Sequence, residues 1–151
     1  MDCIGVDTDS EMLEEAKNKL RNVKAGLIKI SSNAELPFEN NSFEYVTICS
    51  VLFHLNKKDM DHMLKDSLRL LNEEGKIVVL TPTGKGSFLK LSKHFFSIEN
   101  SGIYVWYRAT RNRARLWTNE NYLAKYASKH RLKYKRGIIM NGFAQLEIIT
   151  K

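Results

Sequence analysis

Apolar residues along the chain follow two patterns, short continuous runs and stripes at helical spacing. The runs have the length of strands and lie at 3–6, 27–30, 43–50 and 76–81. Helical stripes between them begin at Met12 and at Met60. This alternation of strand and helix predicts an α/β fold with a mostly parallel sheet and helices on both faces. Because the run at 43–50 is nearly continuous, we expect that strand to be buried on both faces.

Polar residues mark the expected ends of the helices. Thr8 or Ser10 fits the N-cap of the first helix, because residues 8–11 read Thr-Asp-Ser-Glu, the sequence of a capping box. Asn56 fits the cap of the second helix, and Thr118 fits the cap of a short helix further on. We therefore expect each of these helices to begin directly after a polar residue.

The C-terminal part of the chain ends in the pattern of a hairpin. Asn141-Gly142 is a strong signal for a two-residue turn, and it predicts antiparallel strands at 134–140 and 143–150. Residues 84–117 are harder to assign, since glycines interrupt helical segments there. We expect Gly84-Lys85-Gly86 to be a flexible connection that follows a strand.

Charge is distributed unevenly along the chain. The net charge is +7, but residues 1–50 carry 5 Lys+Arg against 9 Asp+Glu, whereas residues 84–151 carry 14 against 3. An anionic substrate or surface would therefore meet the C-terminal half, unless that half is simply a solvated basic face.

Several function classes are disfavoured by the composition. No apolar run reaches the length of a membrane span, and the acidic start lacks the features of a signal peptide, so we expect a cytoplasmic protein with no membrane partner. Cys3 and Cys49 lie in apolar runs and are expected to be reduced core residues. The four histidines are scattered, so we expect no metal site.

Four stretches of the chain together resemble the class I methyltransferases that use S-adenosylmethionine, in particular their type 11 branch. In chain order they are CIGVDTDSEMLEEAKNKL, SSNAELPFENNSFEYVTICSVLFHL, LRLLNEEGKIVVLTPT and LWTNENYLAKYASKHRL. The resemblance is clearest over residues 2–83. It implies a Rossmann-like methyltransferase fold, one domain over residues 1–151 and S-adenosylmethionine as the cofactor.

The resemblance also implies which residues contact the cofactor. Asp7, at the end of the first strand, would accept hydrogen bonds from the ribose hydroxyls, and Thr8 beside it would also contact the cofactor. Asp7 could instead only help to cap the helix. Met12 would lie over the adenine ring, or be a plain core residue. Asn33 would accept from the adenine amino group, where related chains commonly have aspartate, and the Ala34 amide would meet a ring nitrogen.

Other residues are implied at the reacting end of the cofactor. The backbone of Ser50 and Val51 would line the sulfonium and methionine end. His54 would orient the methyl acceptor or take its proton, unless it only anchors its loop. No acid or base is obligatory for methyl transfer, so the resemblance leaves the acceptor open.

The family places its variable substrate cover at the position of residues 84–117. This segment contains IYVWYRATRNRARLW, and we expect substrate contacts from Tyr104, Tyr107, Arg108 and Arg111. Aromatic and guanidinium groups in alternation suit RNA bases and phosphates, a small anionic metabolite, or a lid helix with no direct contact. The acceptor is accordingly expected to be a small molecule or RNA.

The family begins with a strand and a GxGxG turn that have no counterpart from Met1 onwards. We therefore expect the first strand and first helix of the fold to be missing and cofactor binding to be impaired. The chain would be a fragment, a protein that closes its sheet alone or by strand exchange in a homodimer, or a decayed relative. The functional alternatives are a non-catalytic basic binding module and an unrelated nucleotide-binding α/β protein.

Overall fold

A computed structural model describes residues 3–32, 34–86, 88–95 and 101–151 of the chain. The chain divides into two compact units, Met1–Pro37 and Phe38–Lys151. Each unit contains its own hydrogen-bonded sheet, with two strands in the first unit and four in the second. Asn33 lies outside the described residues.

The first unit is a strand, a helix and a second strand. These elements are β1 Cys3–Asp7, α1 Ser10–Lys19 and β2 Ala25–Lys29. The two strands pair in parallel, from Cys3 beside Ala25 to Asp7 beside Lys29. A parallel pair joined by a helix is the βαβ unit that the strand and helix pattern predicts.

Asp9 caps α1, so the expectation of Thr8 or Ser10 is wrong. The Asp9 backbone N–H donates to Asp7 Oδ1 at 2.9 Å, and Asp9 Oδ1 in turn accepts from the Glu11 N–H at 2.8 Å. An aspartate accepts from the N–H two residues ahead more strongly than a hydroxyl does, because its oxygen is charged. Two such turns in succession take the chain from β1 into the helix.

The second unit contains the remaining elements. They are β3 Phe43–Cys49, a 3-10 turn Leu52–His54, α2 Lys57–Leu70, β4 Leu71–Pro82, α3 Phe88–Phe95, α4 Ser101–Glu120, α5 Tyr122–Lys129, β5 Lys133–Ile139 and β6 Ala144–Thr150. The sheet order is β3-β4-β6-β5, in which β3 and β4 are parallel and the other two pairs are antiparallel. The α/β fold and the C-terminal antiparallel hairpin are thus confirmed.

The hairpin connection is longer than two residues. Ile139 is paired with Ala144, which leaves four residues, 140–143, in the connection. Met140, Asn141 and Gly142 have φ angles of 52°, 53° and 93°. Three successive left-handed residues build a wider turn than Asn-Gly alone, so the prediction of a two-residue turn is wrong.

The core of the second unit lies between its sheet and the helices α2, α4 and α5. Its fully buried side chains come from the sheet, the 3-10 turn, α2 and α5, namely Leu52, Leu64, Leu71, Ile77, Val79, Leu123 and Ile149. Asn56 caps α2 as predicted, since its Oδ1 accepts from the Asp59 N–H at 3.0 Å. Arg69 connects the end of α2 to the loop before β3, with Nη1 2.8 Å from the Phe38 carbonyl oxygen.

The strand β3 is buried on one face only. Ile48 is buried, whereas Tyr45, Thr47 and Cys49 are exposed. In the described part of the chain β3 pairs only with β4, and the helices of the second unit cover the face that carries Ile48. The expectation of burial on both faces is therefore wrong, since an unbroken apolar run does not tell which face is covered.

Two further sequence-based expectations are corrected. Cys3 and Cys49 are free thiols, but both are exposed rather than in the core. Thr118 lies inside α4, where its Oγ1 donates to the Ala114 carbonyl at 2.9 Å, and it caps no helix. Asn121, with a φ of 49°, separates α4 from α5, because a left-handed residue ends the preceding helix.

In the described residues no helix is both long and apolar enough to cross a membrane.

Candidate functional site

The carboxyl end of β1 presents a carboxylate with one oxygen in use. Asp7 is partly exposed, and its Oδ1 is held by the Asp9 N–H. Within the described residues Oδ2 has no hydrogen bond, so it can accept from a ligand hydroxyl. Thr8 is exposed beside it.

Met12 lies in the first turn of α1, and its side chain is 56% exposed. Its thioether is therefore available to a ligand and is not part of the core.

In the loop after β2, the backbone donor that the resemblance assigns to the adenine ring is already in a hydrogen bond. The Ala34 backbone N–H already donates to the Ser31 carbonyl at 3.2 Å. A ring nitrogen that used this amide would therefore have to compete with the turn or share its proton.

The end of β3 is fixed by a left-handed turn in the second unit. Ser50 has a φ of 58°, and its N–H donates to the Leu80 carbonyl at 2.8 Å. The carbonyl of Val51 accepts from the His54 N–H at 2.9 Å. The backbone that the resemblance assigns to the methionine end of the cofactor is therefore rigid, and it leads directly into the turn that carries His54.

His54 is paired with an arginine from α4. Arg113 Nη1 lies 3.2 Å from His54 Nδ1, and the imidazole ring packs at 4.1 Å from the ring of Phe53. Because guanidinium only donates, Nδ1 holds the lone pair and the neutral ring carries its proton on Nε2. Burial first, and then the charge of Arg113, lower the pKa of His54 below its ordinary value. The pairing with Arg113 thus favours a neutral His54 that acts as a hydrogen-bond donor through Nε2–H. It disfavours a His54 that acts as a base and accepts a proton.

A pocket of about 230 Å³ opens next to this pair. Its apolar walls come from the 3-10 turn, α2 and α4, and its three polar residues are His54, Arg113 and Glu120. The apolar lining consists of Leu52, Phe53, Leu55, Met60, Leu116 and Trp117. A closed cavity of roughly 150 Å³ is enough for a benzene ring, so this pocket accommodates a small apolar group with a polar atom at its mouth.

Most of the predicted substrate residues in α4 make contacts within the protein. Tyr104 is buried in a small cluster with Leu91 and Phe143. The Tyr107 hydroxyl donates to the Lys85 carbonyl at 2.6 Å, and burial raises the pKa of this phenol. Arg111 Nε donates to the Gly84 carbonyl at 3.2 Å. The Gly84-Lys85-Gly86 connection, expected to be flexible, is thus held against α4.

Arg108 is exposed, as Arg111 is, but among the described residues it has no hydrogen bond to the protein. The structure brings none of the four to the walls of the pocket, which α4 lines with residues from Arg113 to Glu120. Their contacts with substrate stay a prediction. In the described residues no group of three His, Cys, Asp or Glu side chains could hold a metal ion.

Arg113 was not singled out from the sequence as a site residue. It is one of four arginines in its segment, and it lies 59 residues from His54 along the chain. Only the packing of α4 on the 3-10 turn brings the two together. No local pattern distinguishes the arginine that faces the histidine from the other three.

Replacing Arg113 with glutamine is expected to raise the pKa of His54 towards its ordinary value of 6.5. Loss of the neighbouring cation removes one of the two causes of the shift, and burial retains the other. The pKa of His54 is lower in the folded protein than in the unfolded chain, so protonation favours the unfolded chain. The wild type should therefore lose stability as the pH falls through 6.5 towards the folded pKa. R113Q should lose less stability over the same pH range, because its pKa shift is smaller. A two-dimensional NMR titration of the ring measures the shift. Arg108→Gln is the matched control, and an unchanged or lower pKa in R113Q contradicts the pairing.

Comparison with known proteins gives one family. The family described as "Methyltransferase domain" matches residues 1–79. Over 79 residues the chain is 37% identical to demethylmenaquinone methyltransferases of Bacillus cereus (strain B4264) and Bacillus anthracis (strain CDC 684 / NRRL 3495). That stretch is 51% of this chain and 32% of each relative, so the chain matches about a third of the length of these curated relatives.

Solved structures share the fold over nearly the whole chain. The plantazolicin methyltransferase BpumL, in complex with a monoazolic desmethylPZN analogue and SAH, gives a TM-score of 0.66 at 18% identity, over 99% of this chain and 66% of that one. The PH0226 protein from Pyrococcus horikoshii OT3 gives 0.60 at 15% identity, over 99% and 71%. At such identities the likeness establishes a Rossmann-like methyltransferase fold.

Proposed function

We propose that this chain, which belongs to the methyltransferase domain family, is an S-adenosylmethionine-dependent methyltransferase that acts on a small-molecule acceptor. The single observation that carries the proposal is the carboxylate of Asp7 at the carboxyl end of β1. One of its oxygens is held by the Asp9 N–H, and the other is available to ribose hydroxyls. Ligands of open α/β sheets bind at this end of the strands, and an acid there selects a ribose.

The exposed thioether of Met12 supports the same assignment. A polarizable, flexible side chain that is 56% exposed on α1 suits the flat face of adenine. Ser50 and Val51 are proposed to line the methionine end of the cofactor, through the rigid backbone at the end of β3. In the first unit the chemistry of Asp7 and Met12 suits a ribose and an adenine, with the already bonded amide of Ala34 as the weakest contact.

When bound, S-adenosylmethionine supplies an activated methyl group on a good leaving group. The chain's own part is then to hold the acceptor in line and to exclude water, because approximation alone can supply roughly 7–11 kcal/mol in favourable cases. We assign the orienting role to His54, whose Nε2–H is directed by the Arg113 contact at Nδ1. This side chain would donate to a carbonyl, phenol or carboxylate oxygen of the acceptor.

The acceptor is proposed to be a small molecule with an apolar body. The walls of the pocket beside His54 are mainly apolar, and its volume of about 230 Å³ suits a group of the size of a small ring. The curated relatives are named for demethylmenaquinone, but their match covers only 51% of this chain, and the family model ends at residue 79, before α3 and α4. Since α4 contributes four of the nine pocket residues, the relatives' acceptor is no guide to this one.

Replacing Asp7 with alanine is expected to weaken binding of S-adenosylmethionine about 10- to 100-fold, because a charged acceptor of ribose hydrogen bonds is lost. Isothermal calorimetry on the full chain measures the dissociation constant. Glu14→Ala removes an exposed carboxylate from α1 and is the matched control. Equal affinities of D7A and the wild type would refute the role of Asp7, and no binding by either would refute the proposed cofactor.

A further inference from the structure

The outer side of α4 has an unusual composition for a solvent-facing surface. Val105 is 71% exposed and Leu116 is 60% exposed. At about 100° of rotation per residue, both lie on one line of the helix with Ala109 and the polar Asn112, which are also exposed. This line is opposite the buried side of α4, whose members are Tyr104, Thr110, Ala114, Trp117 and Thr118. We call the exposed line of Val105, Ala109 and Leu116 the outer ridge.

Arginines flank the outer ridge on both sides. By helical spacing Arg108 and Arg115 lie on one side of it, and Arg113 lies on the other together with Trp106, which is 38% exposed. In the described part of the chain neither Arg108 nor Arg115 is bonded to a carboxylate. Glu120, in the last turn, is the one acid of α4. The outer ridge is thus a short apolar line interrupted by Asn112, with Arg108 and Arg115 on one side. Arg113, on the other side, is paired with His54, and Leu116 also borders the pocket.

We propose that the outer ridge of α4 binds the surface of an anionic phospholipid membrane. A helix that lies in the interface buries an apolar line among acyl chains while arginines at its sides contact lipid phosphates, and tryptophan is favoured at that depth. Charge complementarity favours this partner, since residues 84–151 carry 14 Lys+Arg against 3 Asp+Glu. The proposal departs from the expectation of no membrane partner, since an interfacial helix requires no membrane span.

RNA is the rival partner for the same arginines, and the side-chain directions disfavour it. Binding of single strands requires exposed aromatic rings on which bases stack. Tyr104 and Trp117 are buried, and Tyr107 is half-buried with its hydroxyl bonded to the Lys85 carbonyl. Trp106, 38% exposed, is thus the one aromatic ring of α4 at the surface among the described residues, whereas binding of successive bases requires several. The most exposed apolar groups of α4 are the aliphatic Val105 and Leu116, which enter a lipid interface and do not stack on bases.

Co-sedimentation with vesicles tests the proposal on the full chain. We expect binding to phosphatidylcholine and phosphatidylglycerol mixed at about 7:3, and at least about tenfold weaker binding to phosphatidylcholine alone. Arg108→Glu with Arg115→Glu should weaken binding at least about tenfold, whereas Lys125→Glu with Lys129→Glu on α5 changes the net charge equally and should have little effect. Equal losses in the two double variants would show diffuse charge attraction and overturn the proposal.

The apolar part of the proposal has its own test. Val105→Ser with Leu116→Ser should reduce vesicle binding about tenfold without changing the circular dichroism spectrum, because both side chains are exposed. Val23→Ser, an exposed valine elsewhere, is the matched control. A blue shift of Trp106 emission on vesicles, lost in Trp106→Phe, reports insertion. Unchanged binding by the serine variant, or binding to a single-stranded RNA oligonucleotide but not to vesicles, would overturn the proposal.

Discussion

Glu147→Ala is expected to lower the free energy of unfolding by about 3–5 kcal/mol, because it removes the acceptor at the centre of a buried polar network. Glu147 is only 2% exposed on β6, inside the second unit. Its Oε2 accepts from Trp117 Nε1 and from Gln145 Nε2, both at 3.0 Å, and its Oε1 accepts from the Tyr134 hydroxyl at 2.6 Å. Alanine would leave the buried donors of Trp117 and Gln145 and the partly buried hydroxyl of Tyr134 without this acceptor, at a cost of about 1–3 kcal/mol for each buried donor before relaxation.

The hydrogen bonds of Glu147 extend to α4 and β5. Gln145 Oε1 accepts from Arg136 Nη2 at 2.6 Å, and Arg136 Nη1 donates to Asn121 Oδ1 at 2.7 Å, between α4 and α5. Together with burial, the contact with Glu147 raises the pKa of the Tyr134 phenol far above its ordinary range. Loss of Glu147 should therefore loosen α4, the helix that supplies Arg113 to the pocket.

Urea unfolding of the full chain measures this prediction. Glu44→Ala, the same change at an exposed position of β3, is the control and should alter stability by no more than about 0.5 kcal/mol. The fluorescence of Trp117 gives a local readout, since its indole loses its acceptor in E147A. A loss below about 1 kcal/mol would contradict the assignment of these buried bonds.

Gly84→Ala is expected to lower the free energy of unfolding by about 2–4 kcal/mol, through backbone strain and a steric clash. Gly84 has a φ of 64°, and an added Cβ would lie 2.4 Å from the carbonyl oxygen of Arg111 in α4. That oxygen belongs to the helix backbone, so it can move only if α4 moves. The absence of a side chain at Gly84 thus allows α4 to pack closely against the connection that follows β4.

Two other glycines separate the two causes. Gly142 has a φ of 93° but has open space around an added Cβ, so G142A should show the strain alone, about 1–2 kcal/mol. Gly137 has open space and no left-handed φ, so G137A should be nearly neutral. Urea unfolding of the three variants should give the order G84A, G142A, G137A from most to least destabilised. Equal effects of G84A and G142A would contradict the close packing of α4.

Local features of the fold were predictable from the sequence, and long-range ones were not. The strand that ends in Asp7, the Asn56 cap and the C-terminal hairpin follow from residues near one another in the chain. The pairing of His54 with Arg113 joins residues 59 positions apart, and no periodicity encodes it. Charge patterns locate the basic segment but do not say which arginine faces inward.

The strand β6 shows why binary patterning fails at a polar network. Gln145 and Glu147 alternate with Leu146 and Ile148, so the pattern places the polar pair on the solvent side. In the structure the polar pair is buried, and Leu146 and Ile148 are partly exposed. The reversal depends on donors from β5 and α4 that reach the buried side, which is information outside the strand.

Direct binding of S-adenosylmethionine to the full wild-type chain tests the central claim most directly. Equilibrium dialysis with the labelled cofactor, competed by S-adenosylhomocysteine and separately by NADH, measures both affinity and selectivity. A methyltransferase should bind S-adenosylmethionine saturably, with a dissociation constant on the order of 1–100 µM. Excess S-adenosylhomocysteine should displace it, and NADH should not. No saturable binding, or displacement by NADH alone, would contradict the account.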